Sequence, residues 1–284
     1  MIVDCAMYAG GRQVDVGAAA ADAPTTGSAA LLEAARAAGG FVWIGLHEPT
    51  QGEFDHVTEA FDLHPLAVED AIHAHQRPKL EHYGDSLFAV LKPARYVDSQ
   101  EVVEIGQIMV FVGRDFVVTV RYGEPAALAG VRNHLEADAQ RLAWGPSAVL
   151  HAVADRVADA YAEVMLGVEA DIDQIEVDVF SGPRATHAER IFKLKREVLD
   201  FRRAVEPLEP SLAKLAEGDE LIDERAAPYF RDVHDHVLRV AERLVAADAL
   251  LDSALNANVA QVGMRRTRTC ARSRRGWRSS PCRR

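Results

Sequence analysis

The sequence predicts an α/β fold in which a mixed β-sheet flanked by helices is followed by a bundle of long helices that ends in a stalk. Three observations lead to this fold class. Alternating or continuously apolar segments, which are typical of strands, occur only in the first 124 residues. The segments that follow show helical spacing of their apolar residues. Between residues 224 and 264, proline occurs only near the start and glycine only near the end, so one uninterrupted helix can form there.

Residues 1–124 are predicted to form one α/β domain. Its strands are expected at residues 2–8, 13–16, 41–46, 80–83, 86–96, 102–112 and 116–122. Its helices are expected at residues 29–38, 50–61 and 66–74. Because strands and helices mix here without the strict alternation of βαβ units, the sheet is expected to be mixed, with helices on its faces.

Residues 125–223 are predicted to form a helical part that contains two long helices of opposite charge. A shorter helix is expected at 125–141, and Ser147 is expected to cap the first long helix. The second long helix is expected to kink at Pro207 and Pro210. Ion pairs can join the two helices, although two solvated charged faces are an equally simple interpretation. The charged residues are Glu163, Glu169, Asp171, Asp173, Glu176 and Asp178 on the first helix, and Arg190, Lys193, Lys195, Arg196, Arg202 and Arg203 on the second.

The stalk helix is predicted over residues 224–264. Its apolar or small residues recur in alternating steps of four and three, which is the spacing of a heptad seam. A helix of ~35 residues spans ~50 Å, more than a compact domain usually needs. The seam turns polar at Asn258 and Gln261, which favours a defined register over stability. The apolar members of the seam are Val233, Val237, Val240, Leu244, Ala247, Leu251 and Ala254.

Composition narrows the class of protein. The 284 residues carry a formal charge of −11, which argues against nucleic-acid binding and is compatible with cation binding. The three cysteines do not suggest a disulfide scaffold. No run of about 18 apolar residues occurs, so the chain as written is expected to be cytoplasmic and soluble.

Four acidic residues are candidates for a metal site: Glu69, Asp70, Asp155 and Asp232. Carboxylates and water suit Mg²⁺, which keeps much of its hydration shell and needs only one or two protein carboxylates. Spacing alone does not distinguish these four residues from ordinary solvated surface charges. Any assignment of them as ligands therefore depends on further evidence.

Histidines suggest a second hypothesis, a metal-dependent hydrolase. His73 and His75 form one His-x-His pair, and His234 and His236 form another. On a helix, residues two apart point to different faces, so such a pair is a poor chelate. The sequence offers no third ligand for such a site, and it contains no P-loop, nucleophile elbow or dinucleotide-binding fingerprint. No enzymatic activity is therefore predicted.

Four stretches of the chain resemble the CorA family of magnesium and cobalt channels. They are VWIGLHEPT at residues 42–50, LHPLAVEDAIHAHQRPKLEHYGDSLFAVLK at 63–92, KLKREVLDFRRAVEPL at 193–208 and PYFRDVHDH at 228–236. The resemblance continues in order to residue 264. It implies a homopentamer in which each subunit has an α/β cytoplasmic domain, a pair of acidic and basic helices, and a stalk helix that continues into the membrane.

The resemblance also implies roles for the acidic residues. Asp70, in VEDAI, and Asp232, in YFRD, match the ligands of a regulatory Mg²⁺ site between neighbouring subunits. Glu69 and Asp155 match the acids of an adjacent second site, and Asp252 matches an acid near the cytoplasmic mouth of the pore. The implied mechanism is feedback, in which abundant Mg²⁺, or Co²⁺, holds neighbouring subunits in the closed state.

Residues 265–284 depart from the family pattern. They contain nine Arg, no Lys and no acidic residue, so the rest of the chain carries a formal charge of −20. In the family, the stalk continues with a sequence similar to QNEDMRKISAWVAIIAVP. Codons for that peptide, read one nucleotide later, can encode RTRTCARSRRGWRSSPCR, the sequence at residues 266–283. We therefore hypothesise a frameshift near Arg265 that removes the membrane helices, and a chain with this tail is expected not to transport ions.

Two alternatives stay open. One is a zinc-transporting relative, which shares the fold and is not separated from a magnesium channel by the motifs present. The other is a soluble metal-sensing or scaffold protein that uses the cytoplasmic domain alone. The expected partners are divalent cations and further copies of the chain, with no nucleic acid. The family acts at the cell membrane, which becomes a partner only if the C-terminal helices are restored.

Overall fold

The computed structural model describes residues 2–15, 28–72, 76–124, 128, 130–181 and 187–276. Within these residues, a seven-stranded sheet and a separate two-stranded sheet form the first part of the molecule. The strands are β1 (Ile2–Ala9), β2 (Arg12–Val14), β3 (Phe41–His47), β4 (Lys79–Tyr83), β5 (Ser86–Leu91), β6 (Ala94–Val97), β7 (Val102–Ile105), β8 (Gln107–Val112) and β9 (Phe116–Tyr122).

Helices flank the large sheet and form the second part of the molecule, as the sequence predicts. Three short helices lie between the strands of the first part, and the longer helices follow β9 in the chain. The helices are α1 (Ser28–Ala37), α2 (Gln51–Phe61), α3 (Pro65–Ile72), α4 (Val131–Ala137), α5 (Ala139–Leu142), α6 (Pro146–Ser181), α7 (Ala188–Val205), α8 (Glu209–Glu217) and α9 (Ala227–Gly276).

The large sheet has the strand order β2-β1-β3-β9-β8-β5-β4. β3 and β9 pair in parallel, and the other neighbours pair antiparallel, which confirms the prediction of a mixed sheet. Side chains alternate between the two faces of a strand. Trp43 therefore packs in the apolar cluster that contains α6 and α9, while Val42 and Ile44 pack in the cluster that contains α2 and α3.

The two-stranded sheet differs from the prediction, since residues 86–96 and 102–112 do not form single strands. Pro93 lacks the N–H that a continuous strand needs and separates β5 from β6, while Gly106 separates β7 from β8. The Gly106 N–H donates to the Pro93 carbonyl at 2.9 Å, which closes the base of this hairpin. We call β6, β7 and the 3-10 turn between them, Asp98–Gln100, the arm. The arm packs against α6.

The prediction of a single helix at residues 125–141 is wrong for the part of that segment that the structure describes. Two short helices, α4 and α5, occupy it instead. Gly130, at φ 84°, lies before α4, and Asp138 leaves helical geometry between α4 and α5 at φ −115° and ψ 83°. The Asp138 carboxylate accepts the backbone N–H of Arg141 and so caps α5 locally.

The sequence predicts that Ser147 caps the first long helix, but the structure shows that it does not. α6 begins one residue earlier, at Pro146, where the missing proline N–H costs little. The Ser147 hydroxyl instead accepts the backbone N–H of Asp223 at 2.9 Å. It therefore ties the start of α6 to the segment that precedes α9.

The predicted kinks near Pro207 and Pro210 are confirmed. α7 ends at Val205, a 3-10 turn follows at Glu206–Leu208, and α8 begins at Glu209 with Pro210 in its first turn. Proline at the start of a helix leaves no hydrogen bond unmade. This turn therefore divides the predicted second long helix into α7 and α8.

The stalk helix α9 extends further than the sequence predicts. It continues from Ala227 to Gly276, which is 50 residues, and includes the first part of the basic tail. Arginine favours helix, and no proline or glycine lies between Met264 and Gly276 to interrupt it. The predicted seam is confirmed as the buried face of α9, and Asn258 is buried at its end.

Candidate metal sites

Asp70 lies on α3, on the side of the sheet that carries the three short helices. The buried face of α3 is formed by Ala67 and Ala71, and these small residues bring the helix close to the sheet. The Asp70 carboxylate therefore lies beside β4, where it accepts a hydrogen bond from the Lys79 ammonium at 2.7 Å. Its neighbour Glu69 is exposed on the outer side of α3.

Lys79 joins Asp70 to a second carboxylate. Its Nζ also donates to Glu81 Oε2 at 2.5 Å, and the Tyr83 hydroxyl donates to that same oxygen at 2.7 Å. Burial lowers the pKa of Lys79, but the hydrogen bonds to Asp70 and Glu81 outweigh it and hold the pKa above its usual range. The hydrogen bonds from Lys79 and Tyr83 lower the pKa of Glu81. Both charges are thus stabilised at neutral pH.

Asp155 and Asp232 lie near each other on facing helices, α6 and α9. Burial raises the pKa of Asp155, and the negative charge of Asp232 raises it further, against the opposing effect of Arg141. Asp159 lies one turn after Asp155, and burial together with the Asp155 charge raises its pKa. Three carboxylates therefore share one region of the surface, where a divalent cation would relieve their mutual repulsion.

His234 and His236 contact different carboxylates. His234 contacts Glu209 at 2.8 Å, whereas His236 lies 3.9 Å from Asp232, which is 68% exposed. His73 and His75 lie outside the described residues. No group of three or more His, Cys, Asp and Glu side chains in the described part of the chain is arranged to hold a metal ion. The described residues of one copy therefore do not form a complete metal site.

Asp252 lies on the outer side of α9, where it interacts with α7. It accepts a hydrogen bond from Lys195 at 2.6 Å, and Lys195 also donates to Asp248 at 2.7 Å. A single lysine thus holds two acidic residues of the stalk. The predicted position of Asp252 at the mouth of a pore stays a prediction.

The predicted pairing of the acidic and basic helices is confirmed at one residue of α7. Arg190 contacts Asp171 at 3.4 Å and Asp178 at 3.1 Å, both on α6. Lys195 and Glu169 instead form ion pairs with residues of α9. The helix charges therefore bind all three long helices together.

Two residues near the candidate sites, Asp159 and Lys79, are not identified from the sequence. Asp159 could have been found, because it lies four residues after Asp155 on a predicted helix and therefore on the same face. Lys79 gives no comparable signal, since its contact with Asp70 depends on how α3 packs against β4. Asp159 thus lies beside the candidate Asp155, and Lys79 contacts the candidate Asp70.

The mixed sheet, the oppositely charged helices and the stalk define a class of α/β domain that carries one long projecting helix. The chain belongs to the CorA-like Mg²⁺ transporter protein family, which it matches over residues 38–268. This is a family of ion transporters and not of enzymes. The resemblance expected from the four sequence stretches is therefore confirmed.

Several known proteins are similar in sequence, among them two bacterial relatives. YfjQ of Bacillus subtilis is 29% identical over 201 residues, which cover 70% of this chain and 62% of that protein. The cobalt/magnesium transport protein CorA of Thermotoga maritima is 28% identical over 188 residues, which cover 66% of this chain and 54% of that protein. The chain thus spans less than two thirds of the length of either relative.

Several solved structures share the fold, including these three. Full-length CmaX has a TM-score of 0.75 at 18% identity, over 95% of this chain and 80% of that one. The soluble domain of CorA from Methanocaldococcus jannaschii has a TM-score of 0.71 at 12% identity, over 92% of this chain and 99% of that domain. The cytoplasmic domain of ZntB from Vibrio parahaemolyticus has a TM-score of 0.63 at 11% identity, over 79% and 88%. At such identities the likeness is one of fold alone.

A helix that crosses a bilayer needs roughly 20 mostly apolar residues. Within the part of the chain that the structure describes, none of the helices combines that length with sufficient apolar character.

Proposed function

We propose that this chain is the cytoplasmic part of a subunit of a divalent-cation channel that carries Mg²⁺ and, in addition, Co²⁺. Family membership supports this function, as does the name of the Thermotoga maritima relative, a cobalt/magnesium transport protein. The acidic surface of α6 and α9 suits divalent cations, because oxygen ligands from carboxylates are those that Mg²⁺ prefers. We expect no enzymatic activity.

We propose that the channel is a homo-oligomer, a pentamer by analogy with the family, and that α9 forms contacts between copies. The main supporting observation is a second stripe on α9, made of exposed residues next to its buried seam. Leu238, Val245 and Val259 are exposed, and their positions differ by multiples of seven, so they lie on one side of the helix. Asp252 lies in the same stripe, between Val245 and Val259. Exposed apolar residues at heptad spacing support helix packing between copies.

We propose that Asp70 of one copy and Asp232 of the next bind a regulatory Mg²⁺, with Glu69 and Asp155 at an adjacent second site. Within one chain, α3 and α9 belong to apolar clusters on opposite faces of the sheet, so a site shared between copies is the simpler arrangement. Without metal the carboxylates repel, and with metal they are bridged. Mg²⁺ would therefore favour the assembly in which the two carboxylates face each other.

The experiment that tests this function is light scattering of the purified chain during titration with MgCl₂. We expect the mass to rise with Mg²⁺ in the wild type, and the Asp70→Ala and Asp232→Ala variants to need a higher concentration. Asp235→Ala is a matched control, because it removes an exposed carboxylate of α9 that lies one turn from Asp232. An equal response of all four chains would overturn the proposed ligands.

The zinc alternative is tested by the same titration with ZnCl₂. The fold likeness to the ZntB domain does not favour zinc over magnesium. Assembly driven by Zn²⁺ far below the Mg²⁺ requirement, and unaffected by Asp70→Ala, would favour a zinc-transporting relative. Fully reversible assembly of a gene product whose reading frame is intact would favour the metal-sensing alternative.

We propose that the basic tail is an out-of-frame reading of the family stalk, and that transport requires the restored frame. This proposal is supported by residues 266–283, whose sequence agrees with the translation of the family stalk codons read one nucleotide later. Sequencing the genomic DNA from the codon for Asn258 to well beyond Arg284 tests this proposal. One inserted or deleted base that restores two apolar spans would support it, whereas the same tail in frame in closely related genes would overturn it.

A further inference from the structure

The Lys79 ammonium lies between two carboxylates, and one of them belongs to the proposed ligand Asp70. Its Nζ is 2.7 Å from Asp70 Oδ2 and 2.5 Å from Glu81 Oε2. The side chains of Lys79 and Asp70 are only 23% and 25% exposed, so water screens their attraction in part. The centroid of the Phe88 ring, 5.7 Å from Nζ, adds a third favourable contact for a cation.

These contacts hold one positive charge where a metal ion would have to bind. A Mg²⁺ ion on Asp70, bound directly or through its water shell, would lie within a few Å of the Lys79 ammonium. At that separation and partial burial, the repulsion between the two cations is large compared with thermal energy. The ion pair and the bound metal therefore exclude each other.

We propose that Lys79 is an internal competitor of the divalent cation: it occupies Asp70 when the metal is absent and leaves when the metal binds. This inference rests on the proposed role of Asp70 as a ligand. A tethered competitor lowers the apparent affinity of the site, since the metal-binding arrangement is only part of the metal-free population. Lys79 thereby moves the regulatory response to higher Mg²⁺ concentrations.

Glu81 remains a partner for the Lys79 ammonium after Mg²⁺ displaces that ammonium from Asp70. Lys79, Glu81 and Tyr83 alternate along β4 and share one face of the strand. The Tyr83 hydroxyl fixes Glu81 by donating to Oε2 at 2.7 Å. When Asp70 turns to the metal, Lys79 stays paired with Glu81, so the exchange leaves no partly buried charge unpaired.

The arrangement predicts effects of opposite sign for two substitutions. Lys79→Met removes the competitor and is expected to lower the Mg²⁺ midpoint roughly five-fold. Glu81→Gln removes the alternative partner, so Lys79 binds Asp70 alone and the midpoint is expected to rise. A residue with only a structural role would not move the midpoint in these two directions.

The experiment is thermal unfolding of the full chain across a MgCl₂ series, at fixed protein concentration and at an ionic strength held constant with KCl. The readout is the Mg²⁺ concentration that gives half of the maximal rise in Tm. Arg77→Met is the matched control, since it removes the same charge from an exposed side chain two residues before Lys79. Lys79→Met in an Asp70→Asn background tests whether the effect passes through Asp70.

We expect Lys79→Met to lower the midpoint more than Arg77→Met does, and to have no effect in the Asp70→Asn background. An unchanged or higher midpoint, or a shift equal to that of Arg77→Met, would overturn the proposal. If Lys79→Met does not fold, an unchanged or lower midpoint in Glu81→Gln overturns it. Failure of the proposed ligand role is seen separately, as a wild-type response that Asp70→Asn leaves intact, and it removes the inference as well.

Discussion

The Tyr96 hydroxyl on the arm donates a hydrogen bond to the buried carboxylate of Asp171 on α6. Asp171 is 5% exposed, and burial raises the pKa of its carboxyl group. Arg190 of α7 contacts the same carboxylate at 3.4 Å and Glu101 beside the arm at 2.8 Å. The arm, which belongs to the α/β domain, is thereby fixed to the two oppositely charged helices.

Tyr96→Phe is expected to lower the free energy of unfolding by about 1–2 kcal/mol. The substitution removes one donor from Asp171, a buried carboxylate that would then depend on Arg190. Urea denaturation of the chain measures the change. Tyr122→Phe, at the end of β9 and outside the arm, is the control. An equal loss in both variants would contradict a special role for Tyr96.

Gly167→Ala is expected to destabilise the protein through the same contact. A Cβ atom at residue 167 would lie 2.3 Å from the Tyr96 ring, so the ring and the arm would have to move. We expect a loss of about 1–3 kcal/mol, as for other overpacked sites. Gly52→Ala on α2 is the control, because a Cβ there meets open space and alanine favours helix. A stable Gly167→Ala protein with an unmoved arm would be inconsistent with this packing.

The buried His151 is expected to cause part of the loss of folding stability at low pH. Burial, together with the nearby Arg141 charge, lowers its pKa from 6.5 to about 4. The folded state therefore binds fewer protons, and the resulting stability is present above pH 6.5 and is lost as the pH falls through about 4. His151→Phe is expected to flatten the fall of Tm across this window.

The environment of His151 is largely apolar, although its imidazole forms a hydrogen bond with the Tyr229 backbone. Its Nδ1 is buried without a hydrogen-bond partner among the described residues, and Trp144, Tyr229 and Phe230 surround its ring. His151→Phe should therefore keep its stability at neutral pH within about 1 kcal/mol of wild type. A Tm profile as steep as that of the wild type between neutral pH and pH 4 would contradict the assignment.

Arg132→Lys is expected to lower stability by about 1–2 kcal/mol, although it keeps the charge. The guanidinium lies 4.2 Å from the centroid of the Trp43 ring and donates to the Tyr8 hydroxyl at 3.0 Å and to the Asp4 carboxylate. Lysine cannot reproduce this planar set of contacts. Thermal unfolding measures the loss, with Arg12→Lys on exposed β2 as the neutral control. Equal Tm values for both variants would show that charge alone matters at residue 132.

Much of the fold follows from patterns that are local in sequence. Continuous apolar runs identify β3, and the heptad seam identifies the buried face of α9. The errors arise where one residue changes direction within an otherwise regular pattern. Pro93 and Gly106 divide two apolar runs, and the arm folds back only because these breaks lie opposite each other. Ser147 has the right chemistry for a cap, but a distant segment takes its hydroxyl.

The candidate sites were less predictable, because they depend on contacts between distant elements. Family resemblance, and not spacing, identifies Asp70 and Asp232 as candidate ligands. Burial of Asp155 beside Asp232 depends on how α6 packs against α9. The ion pair of Asp70 and Lys79 joins residues nine positions apart, on two elements that no local pattern connects.

The most direct test of the central claim, a Mg²⁺ site shared between neighbouring copies by Asp70 and Asp232, is a mixing experiment. Asp70→Ala and Asp232→Ala chains are unfolded together, refolded at equal amounts and titrated with MgCl₂ while light scattering records the mass. In a ring of randomly mixed copies, about one quarter of the interfaces regain both carboxylates. We predict that the mixture assembles in part at Mg²⁺ concentrations at which neither variant assembles alone. A mixture that responds no better than the separate variants would contradict a site shared between subunits.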